Sequence, residues 1–288
     1  MIKTEDKLKN KKKIVFIASY MKSGNTWMRS IICSLMNNGE FLLEDLKKIK
    51  LFSQEVYFNK LPNVKYQENG NLDFNFISNN WIEAQKVINL SSNEKLKFFK
   101  THNIRGIINN NYFTDERVCK GFIYLIRDPR DICISLAKHM NTNIDQAIDI
   151  MLFQNNFVTN VFKVNESVCT WKEHIESWVN FRTVPRLIIK YEDMIFDIKK
   201  IMEQTINYLN ILYEKKQFSE DNIIKTIKKT KFSKLQELEK TYGFSEATNN
   251  NFFRKGKSGE WKKILNNEQI KLIEKELGST MTKLGYVT

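Results

Sequence analysis

Residues 14–27 read IVFIASYMKSGNTW, and this stretch decides the fold. Its first part is mostly apolar and rich in β-branched side chains, which predicts a buried strand over Ile14–Tyr20. The run KSGNT at 22–26 interrupts this pattern, and apolar residues then recur at helical spacing from Trp27 to Met36. The sequence therefore predicts a strand, a basic turn and a helix in direct succession.

A turn of this composition is suited to binding an anion. The first amides of a helix are unpaired, the helix dipole is positive there, and glycine allows the backbone to approach the ligand closely. Lys22 precedes Gly24, however, whereas the lysine of the Walker A motif follows its second glycine. The loop therefore predicts a phosphate site unlike that of a metal-dependent nucleotidase. Taken alone, it is also compatible with a basic turn between a core strand and a core helix.

Size and charge set limits on the protein class. The chain has 288 residues, 42% of them hydrophobic, which suits one large α/β domain spanning 1–288. Residues 1–13 are polar and lysine-rich and are predicted to form a flexible tail. The net charge of +13 is compatible with nucleic acid, a membrane surface or a polyanionic substrate. Since 38 of the 46 basic residues are lysines, a solvated basic surface explains the charge equally well.

Cysteine spacing and short apolar runs indicate the compartment. The four cysteines lie far apart and form no C-x-x-C pair: Cys33, Cys119, Cys133 and Cys169. We therefore expect reduced thiols rather than disulfides or zinc ligands. The apolar run after residue 13 is too short for a signal sequence or a membrane span. These features predict a cytoplasmic protein with no membrane span.

Strand-like runs recur along the chain with helical patterns between them. They are Ile14–Tyr20, Leu96–Thr101, Gly121–Arg127 and Arg186–Tyr191. Alternating strands and helices predict an α/β fold with a mainly parallel sheet covered on both faces. Each run ends in polar residues, and the carboxyl ends of parallel strands meet at one edge of the sheet. The functional site is expected at that edge.

Several residues at this edge have side chains suited to binding and proton transfer. After the third strand, Asp128 suits a helix N-cap and Pro129 the first helical position. Arg127 and Ser135 are then placed to face one phosphate, although a capped helix with surface ion pairs explains the same pattern. His102 follows the second strand, and its pKa suits a general base, although a structural role is also possible. The other two histidines, in helical stretches, are predicted to be structural: His139 and His174.

Two stretches, 40–92 and 243–259, show no sustained periodicity. The first is rich in asparagine and aromatic residues and is a candidate wall of an acceptor pocket, although such aromatic residues also build cores. The second contains Arg254, Lys255 and Gly256, which suit a flexible clamp on a second phosphate. A solvated charge run is the alternative interpretation of these basic residues.

Five motifs resemble, in the same order, those of the cytosolic-type sulfotransferases. They are YMKSGNTW at 20–27, KTH at 100–102, RDPRDICIS at 127–135, YEDM at 191–194 and RKGKSGEW at 254–261. The resemblance implies a P-loop-like three-layer fold, with a central, mainly parallel sheet flanked by helices. It also implies transfer of a sulfuryl group from 3′-phosphoadenosine-5′-phosphosulfate, leaving 3′-phosphoadenosine-5′-phosphate.

The resemblance assigns the donor-binding residues. Those for the 5′-phosphate would be Lys22, Ser23, Gly24, Asn25 and Thr26. Those for the 3′-phosphate would be Arg127, Ser135, Arg254, Lys255 and Gly256. Those for the adenine would be Trp27 and Phe232 on its faces, with Tyr191 and Thr230 at its edge.

The transfer step requires a base for the acceptor and positive charge for the leaving group. His102 would take the proton of an acceptor hydroxyl or amine, and Lys22 would neutralise the leaving phosphate. Lys100 would help to hold the transferring group. Because cations are supplied by the protein, no metal is expected.

Some features depart from the family pattern. Met21 replaces a proline and Asn25 a threonine, but both leave the backbone amides available. The family's dimer motif is missing after Trp261, so we expect a monomer or a weak homodimer.

Other functions and partners remain open at this point. A P-loop-type nucleotide-dependent kinase of a small molecule would require Mg²⁺ and ATP, and a non-enzymatic polyanion binder would bind in a strongly salt-dependent way. The expected acceptor is a small molecule or a glycan, and nucleic acid is not an expected partner.

Overall fold

A four-stranded parallel sheet forms the centre of the computed structural model, which describes residues 12–154, 158–161, 164–247 and 252–287. The strands are β1 (Ile14–Ser19), β2 (Lys97–Thr101), β3 (Ile107–Ile108), β4 (Asn111–Tyr112), β5 (Cys119–Ile126), β6 (Val158–Val161), β7 (Val164–Ser167) and β8 (Arg186–Lys190). The central sheet has the order β2-β1-β5-β8, and β3-β4 and β6-β7 form separate antiparallel pairs.

Helices cover both faces of this sheet. They are α1 (Asn25–Met36), α2 (Phe74–Asn79), α3 (Trp81–Ser91), α4 (Pro129–Met140), α5 (Ile144–Phe153), α6 (Trp171–Val179), α7 (Tyr191–Phe196), α8 (Ile198–Tyr213), α9 (Glu220–Lys229), α10 (Phe232–Tyr242), α11 (Trp261–Ile264) and α12 (Asn267–Lys283). Short 3₁₀ turns occupy Leu43–Lys48 and Glu55–Tyr57. Among the helices of the described ranges, none is long and apolar enough to cross a membrane.

The four predicted strands of the main sheet are all present, with ends displaced by at most two residues. β1 lies between β2 and β5 and is buried along its whole length, as expected for a continuous apolar run in a parallel sheet. Its last residues pair with Thr101 on one side and Leu125 on the other. The polar residues that follow these strands therefore lie at a common edge.

Side chains alternate between two hydrophobic cores, one on each face of the sheet. Phe16 of β1 packs with Phe122 and Trp178 on one face, and Val15 packs with Ile31 and Leu209 on the other. Two-residue periodicity of the strand produces this division.

Four aromatic residues of 40–92 belong to the hydrophobic core. Phe52 and Phe58 are fully buried in the first core, with Phe52 only 5.6 Å from the ring of Phe16. Phe76 and Trp81 lie in the same core. Tyr57 of the same stretch lines a surface cavity, so an acceptor-pocket wall over 40–92 stays a prediction.

The predicted flexible tail, 1–13, lies mostly outside the described residues. The four cysteines are free thiols, and three of them are buried: Cys33, Cys119 and Cys133. Cys169 is partly exposed.

Phe16 offers a direct test of this core. Its ring is fully buried and lies 5.2 Å from Phe113 and 6.1 Å from Trp178. Phe16→Ala should lower the free energy of unfolding by about 3–5 kcal/mol in a denaturant titration, since it leaves a cavity. Phe196→Ala is the matched control: Phe196 is 92% exposed, and its loss should change stability by about 0.5 kcal/mol or less. Equal losses in the two variants would contradict the described core.

Candidate active site

The anion loop joins β1 to α1 at the carboxyl edge of the sheet. Lys22 and Gly24 both have left-handed backbone conformations, with φ of 64° and 95°. A Cβ atom at Gly24 would lie 2.6 Å from Cδ2 of Tyr191, so that only glycine fits both the turn and the packing. Gly24 is also the N-cap of α1 and, having no side chain, it leaves the first amides of the helix without a capping hydrogen bond. The strand, turn and helix therefore follow one another in the predicted order, and the start of α1 has no side-chain cap.

Six buried side-chain polar atoms have no hydrogen-bond partner within the described residues. Three of them belong to Tyr20, Arg29 and Trp171, and the other three are Ser23 Oγ, Asn25 Oδ1 and Arg127 Nε. The amide nitrogen of Asn25 is satisfied, since it donates to the Ile17 carbonyl at 2.9 Å and to Ser19 Oγ at 3.2 Å. Buried polar atoms without partners are costly, and a bound ligand is one explanation for them. Ser23, Asn25 and Arg127 are all residues predicted to bind the donor.

Lys22 and Arg127 lie together at the loop. An Arg127 nitrogen donates to the Lys22 carbonyl at 3.0 Å, and the guanidinium lies 4.4 Å from the ring centre of Tyr191. Burial lowers the pKa of Lys22 to about 8, and the nearby positive charges of Lys100 and Arg127 act in the same direction. Such a cluster of cations favours binding of a negatively charged group.

The residues predicted to bind adenine are close together, but they do not form parallel walls. Trp27 Nε1 donates to the Thr230 carbonyl at 2.8 Å. The Trp27 and Phe232 rings contact each other edge to face, with centroids 5.5 Å apart and an interplanar angle of 74°. A Cβ atom at Gly256 would lie 2.3 Å from Phe232, so the predicted clamp loop packs on this ring. A base between the two rings would require them to separate.

The predicted clamp at 254–256 is held by acidic residues that sequence reasoning did not identify. Arg254 and Lys255 both pair with Glu260, and these pairs lower the pKa of Glu260 to about 2. Asp131 of α4 accepts from the backbone N–H of Gly259 at 2.6 Å and of Trp261 at 3.0 Å. Asp131 therefore ties the loop to the helix that begins after Arg127.

The start of α4 is as predicted, and Ser135 lies farther along the same helix. Asp128 is the N-cap, its side chain accepts from the Arg130 N–H, and Pro129 is the first helical residue. Ser135 is half-buried on this helix. Arg130 lies elsewhere: it pairs with Asp128 and Glu274, and its guanidinium lies 3.8 Å from the Trp261 ring centre.

His102 follows β2, and backbone contacts fix its ring. Its Nδ1 lies 2.8 Å from the Ser19 carbonyl oxygen, which can only accept, so Nδ1 carries the hydrogen. Nε2 is then the nitrogen with the lone pair. Burial and the charge of Lys100 hold the pKa of His102 well below its usual value. His102 is therefore a neutral base at neutral pH.

The backbone of His102 is held from two further directions. Glu166, fully buried, accepts from the His102 N–H at 2.9 Å and from Thr101 Oγ1 at 3.0 Å. His174 donates through Nε2 to the His102 carbonyl at 3.0 Å, and its Nδ1 accepts from the Tyr124 hydroxyl at 2.7 Å. Burial lowers the pKa of His174 to about 3, so it acts as a neutral structural bridge. The prediction of a structural role for His174 agrees with these contacts.

His139 is closer to the site than its helical sequence context indicated. Burial lowers its pKa to about 4, and the charges of Lys22 and Lys100 contribute to the shift. The same two positive charges act on His102 and on His139. The sequence signal for this location is that His139 follows Ser135 by one turn on α4.

Lys100 is near the other predicted residues, but it is already paired. Its Nζ lies 3.6 Å from a carboxylate oxygen of Glu246, which also binds Arg29. Burial lowers the pKa of Lys100, and Glu246 opposes that shift. The sequence offered no indication of this pair, since Glu246 lies in an irregular stretch.

The chain belongs to the sulfotransferases: the family model described as "Sulfotransferase domain" matches residues 12–285. It is 27% identical to sulfotransferase 1E1 of Cavia porcellus over 253 residues, which are 85% of this chain and 75% of that protein. It is 22% identical to cytosolic sulfotransferase 10 of Arabidopsis thaliana, over 90% of this chain and 75% of that protein.

A solved structure of retinol dehydratase in complex with androsterone and inactive cofactor PAP has the same fold. The TM-score is 0.60 at 21% identity, over 97% of this chain and 84% of that chain. The predicted three-layer α/β fold and the prediction of a sulfotransferase are confirmed. The kinase and polyanion-binder alternatives are not favoured.

The lowered pKa of Lys22 has a consequence for stability. Below about pH 8 Lys22 is charged in both the folded and unfolded protein, so its burial costs free energy. As pH rises from about 8 to 10.5, the folded form loses its proton first and stability rises. Lys22→Met should therefore stabilise the free protein at pH 7 by roughly 1–3 kcal/mol, with the gain disappearing over that pH range.

Chemical denaturation at several pH values measures this gain. Lys271→Met, at an exposed position of α12, is the control and should change stability little at any pH. A Lys22→Met variant less stable than the parent at pH 7 would contradict a buried, destabilised ammonium.

Proposed function

We propose that this protein transfers a sulfuryl group from 3′-phosphoadenosine-5′-phosphosulfate to a hydroxyl or amine, with His102 as the general base. The observation that carries the proposal is the hydrogen bond from His102 Nδ1 to the Ser19 carbonyl. It leaves Nε2 unprotonated beside a loop in which Lys22 and Arg127 concentrate positive charge. A neutral base next to an anion-binding loop suits transfer of a charged group.

The residues present fit this donor. Ser23 Oγ and Arg127 Nε are buried and have no partner in the described part of the chain, and both can donate to an anion with several oxygens. The solved structure of retinol dehydratase, which has the same fold, contains the inactive cofactor PAP. We assign the 5′-phosphate to residues 22–26. We assign the 3′-phosphate to the set Arg127, Ser135, Arg254, Lys255 and Gly256.

Adenine is assigned to the aromatic cluster beside α1. Trp27 and Phe232 would cover its faces after separating from their present edge contact. Tyr191 would contact its edge. Thr230 would do so as an acceptor through its hydroxyl oxygen, whose hydrogen is donated to the Thr226 carbonyl at 2.8 Å, since its backbone N–H and carbonyl are both paired.

In the transfer step, His102 Nε2 accepts the proton of the acceptor while the acceptor oxygen or nitrogen forms a bond to sulfur. The bond between sulfur and the phosphate oxygen breaks, and negative charge accumulates on that oxygen. Lys22, held at the loop, neutralises this charge. Lys100 holds the oxygens of the transferring group. Each cation is supplied by the protein chain itself.

The acceptor, compartment and assembly are also part of the proposal. We assign a small-molecule acceptor in preference to a glycan, because the relatives are small-molecule-type sulfotransferases such as luciferin sulfotransferase of Photinus pyralis. A cytoplasmic location is supported by the name of the Arabidopsis relative and by four free thiols. We propose one catalytic unit over the whole chain, acting as a monomer or a weak homodimer.

Donor binding is tested by thermal unfolding with nucleotides. A ligand that binds only the folded state raises stability by mass action, by about 2.7 kcal/mol at 100 times its Kd. 3′-Phosphoadenosine-5′-phosphate should raise the Tm, whereas Mg²⁺ with ATP should not. Stabilisation by Mg²⁺–ATP alone would favour a kinase.

Catalysis is tested by transfer of labelled sulfate from the donor to a panel of phenols, alcohols, amines and glycans. His102→Ala should lower turnover by about 10²–10⁴-fold, the usual contribution of a general base, while the Tm rise with the product nucleotide persists. His139→Ala is the matched control and should retain most of the activity. Turnover that survives in His102→Ala would exclude His102 as the base.

A further inference from the structure

Glu246 connects two basic side chains at the predicted transfer site. Its two carboxylate oxygens accept from the Arg29 guanidinium at 2.8 Å and 2.9 Å. One of the same oxygens lies 3.6 Å from Nζ of Lys100. The contact joins α1, β2 and the irregular segment after α10, which are far apart in sequence.

Arg29 is a rigid anchor for this carboxylate. Its side chain is 2% exposed, and besides Glu246 it donates to the carbonyls of Leu46 at 3.0 Å and Ile49 at 3.1 Å. A guanidinium with this many hydrogen-bond partners has little conformational freedom. A bidentate pair with a carboxylate fixes the orientation of the carboxylate as well as its distance. The position of Glu246 is therefore set by Arg29, and Glu246 in turn faces Lys100.

Most groups around Lys100 oppose a positive charge there. Burial lowers the pKa of Lys100, and the charge of Arg29 lowers it further. Lys22 is a second cation that interacts with Lys100, and the charge of Lys100 also lowers the pKa of His102 and of His139. The acidic groups that act on Lys100 are Glu246 and Glu166.

Glu166 is less suited than Glu246 to hold Lys100. Its carboxylate is occupied by Thr101, by the His102 N–H and by Asn103, and burial raises its pKa. The pKa of Glu246 is lowered overall, because hydrogen bonds and charges from Arg29 and Lys100 outweigh the effect of burial, which raises it. Glu246 is thus the anion that remains ionised beside Lys100.

Lys22 provides an internal comparison. The carbonyl of Lys22 binds Arg127, and its ammonium lies 4.7 Å from the ring centre of Phe252. An aromatic face attracts a cation more weakly than a carboxylate does. Two lysines of one site are therefore in different environments, one over an aromatic ring and one beside a fixed carboxylate.

We propose that Glu246 is a positioning residue for the transfer step: fixed by Arg29, it orients Lys100 and keeps the Lys100 amine charged. The inference rests on the proposed function, in which Lys100 holds the oxygens of the transferring group. A neutral or misdirected amine there would lose both its charge and a hydrogen-bond donor. Glu246 itself does not touch the reacting atoms in this proposal.

Chemical labelling measures the state of Lys100 without using enzyme activity. The free protein is acetylated briefly at a series of pH values, and the modification of Lys100, whose side chain is 19% exposed, is followed by mass spectrometry. In Glu246→Gln the pH at which Lys100 labelling is half-maximal (its labelling midpoint) should fall by about one unit. This is equivalent to a ~10-fold larger neutral fraction of Lys100 at a given pH. Glu246→Asp keeps the charge and should retain a midpoint close to that of the parent.

Glu237→Gln is the matched control. Glu237 lies on α10 and pairs with Lys234 at the surface, so its loss should leave Lys100 labelling unchanged. A midpoint for Lys100 that is the same in Glu246→Gln as in the parent would overturn the proposal. So would a midpoint in Glu246→Asp as low as that in Glu246→Gln.

Kinetics then separates a positioning role from a structural one. In Glu246→Gln, kcat should fall by about tenfold or more while binding of 3′-phosphoadenosine-5′-phosphate is kept, and Glu246→Asp, which keeps the charge, should recover most of the lost kcat. Loss of kcat that is equal in Glu246→Gln and Glu246→Asp would indicate a structural effect and overturn the proposal. If the parent itself transfers no sulfate while the labelling shift is observed, the proposed function fails and the Glu246–Lys100 link stands.

Discussion

Burial of several positive charges at one edge of a parallel sheet is the constraint on which the site depends. Lys22, Lys100 and Arg127 lie where the strands end, and Arg29 is buried just behind them. Charges removed from water are costly unless they are paired or hydrogen-bonded. Backbone carbonyls, aromatic faces and the carboxylate of Glu246 contact these cations and offset part of the cost of burying them. The lowered pKa of Lys22 indicates that this cost is not fully offset. The remaining cost is what a polyanionic donor would relieve on binding.

The proposed general base depends on the same architecture through its backbone. His102 has its ring held by the Ser19 carbonyl, its N–H by Glu166 and its carbonyl by His174. These partners come from β1, β7 and α6, so the orientation of one imidazole requires three separate elements. Because the donor loop also begins at the end of β1, base and anion site are fixed relative to each other by a single strand.

The sequence predicted the central strands because a parallel strand buried on both faces is a continuous apolar run, as in Ile14–Ser19. It predicted the residues that follow the strands, since polar residues after such runs lie at one edge of the sheet. It could not decide the role of Phe52 and Phe58, because aromatic residues without periodicity suit a pocket wall and a core equally well, and the structure places both in the core. The family resemblance added roles for single residues that periodicity alone could not assign.

By itself, the sequence determined the parallel sheet, the glycine turn at Gly24 and the set of basic residues near the strand ends. Local chemistry explains this: strand burial, helix capping and glycine conformation act over a few neighbouring residues. Only the tertiary structure decided which acids meet these bases. Glu246 with Lys100, Asp131 with the Gly259 loop and Glu166 with His102 are contacts across 64 to 146 residues of chain, and no local pattern encodes such pairs. The sequence alone predicted the anion-binding loop, whereas only the folded structure decided which acidic residues pair with the basic ones.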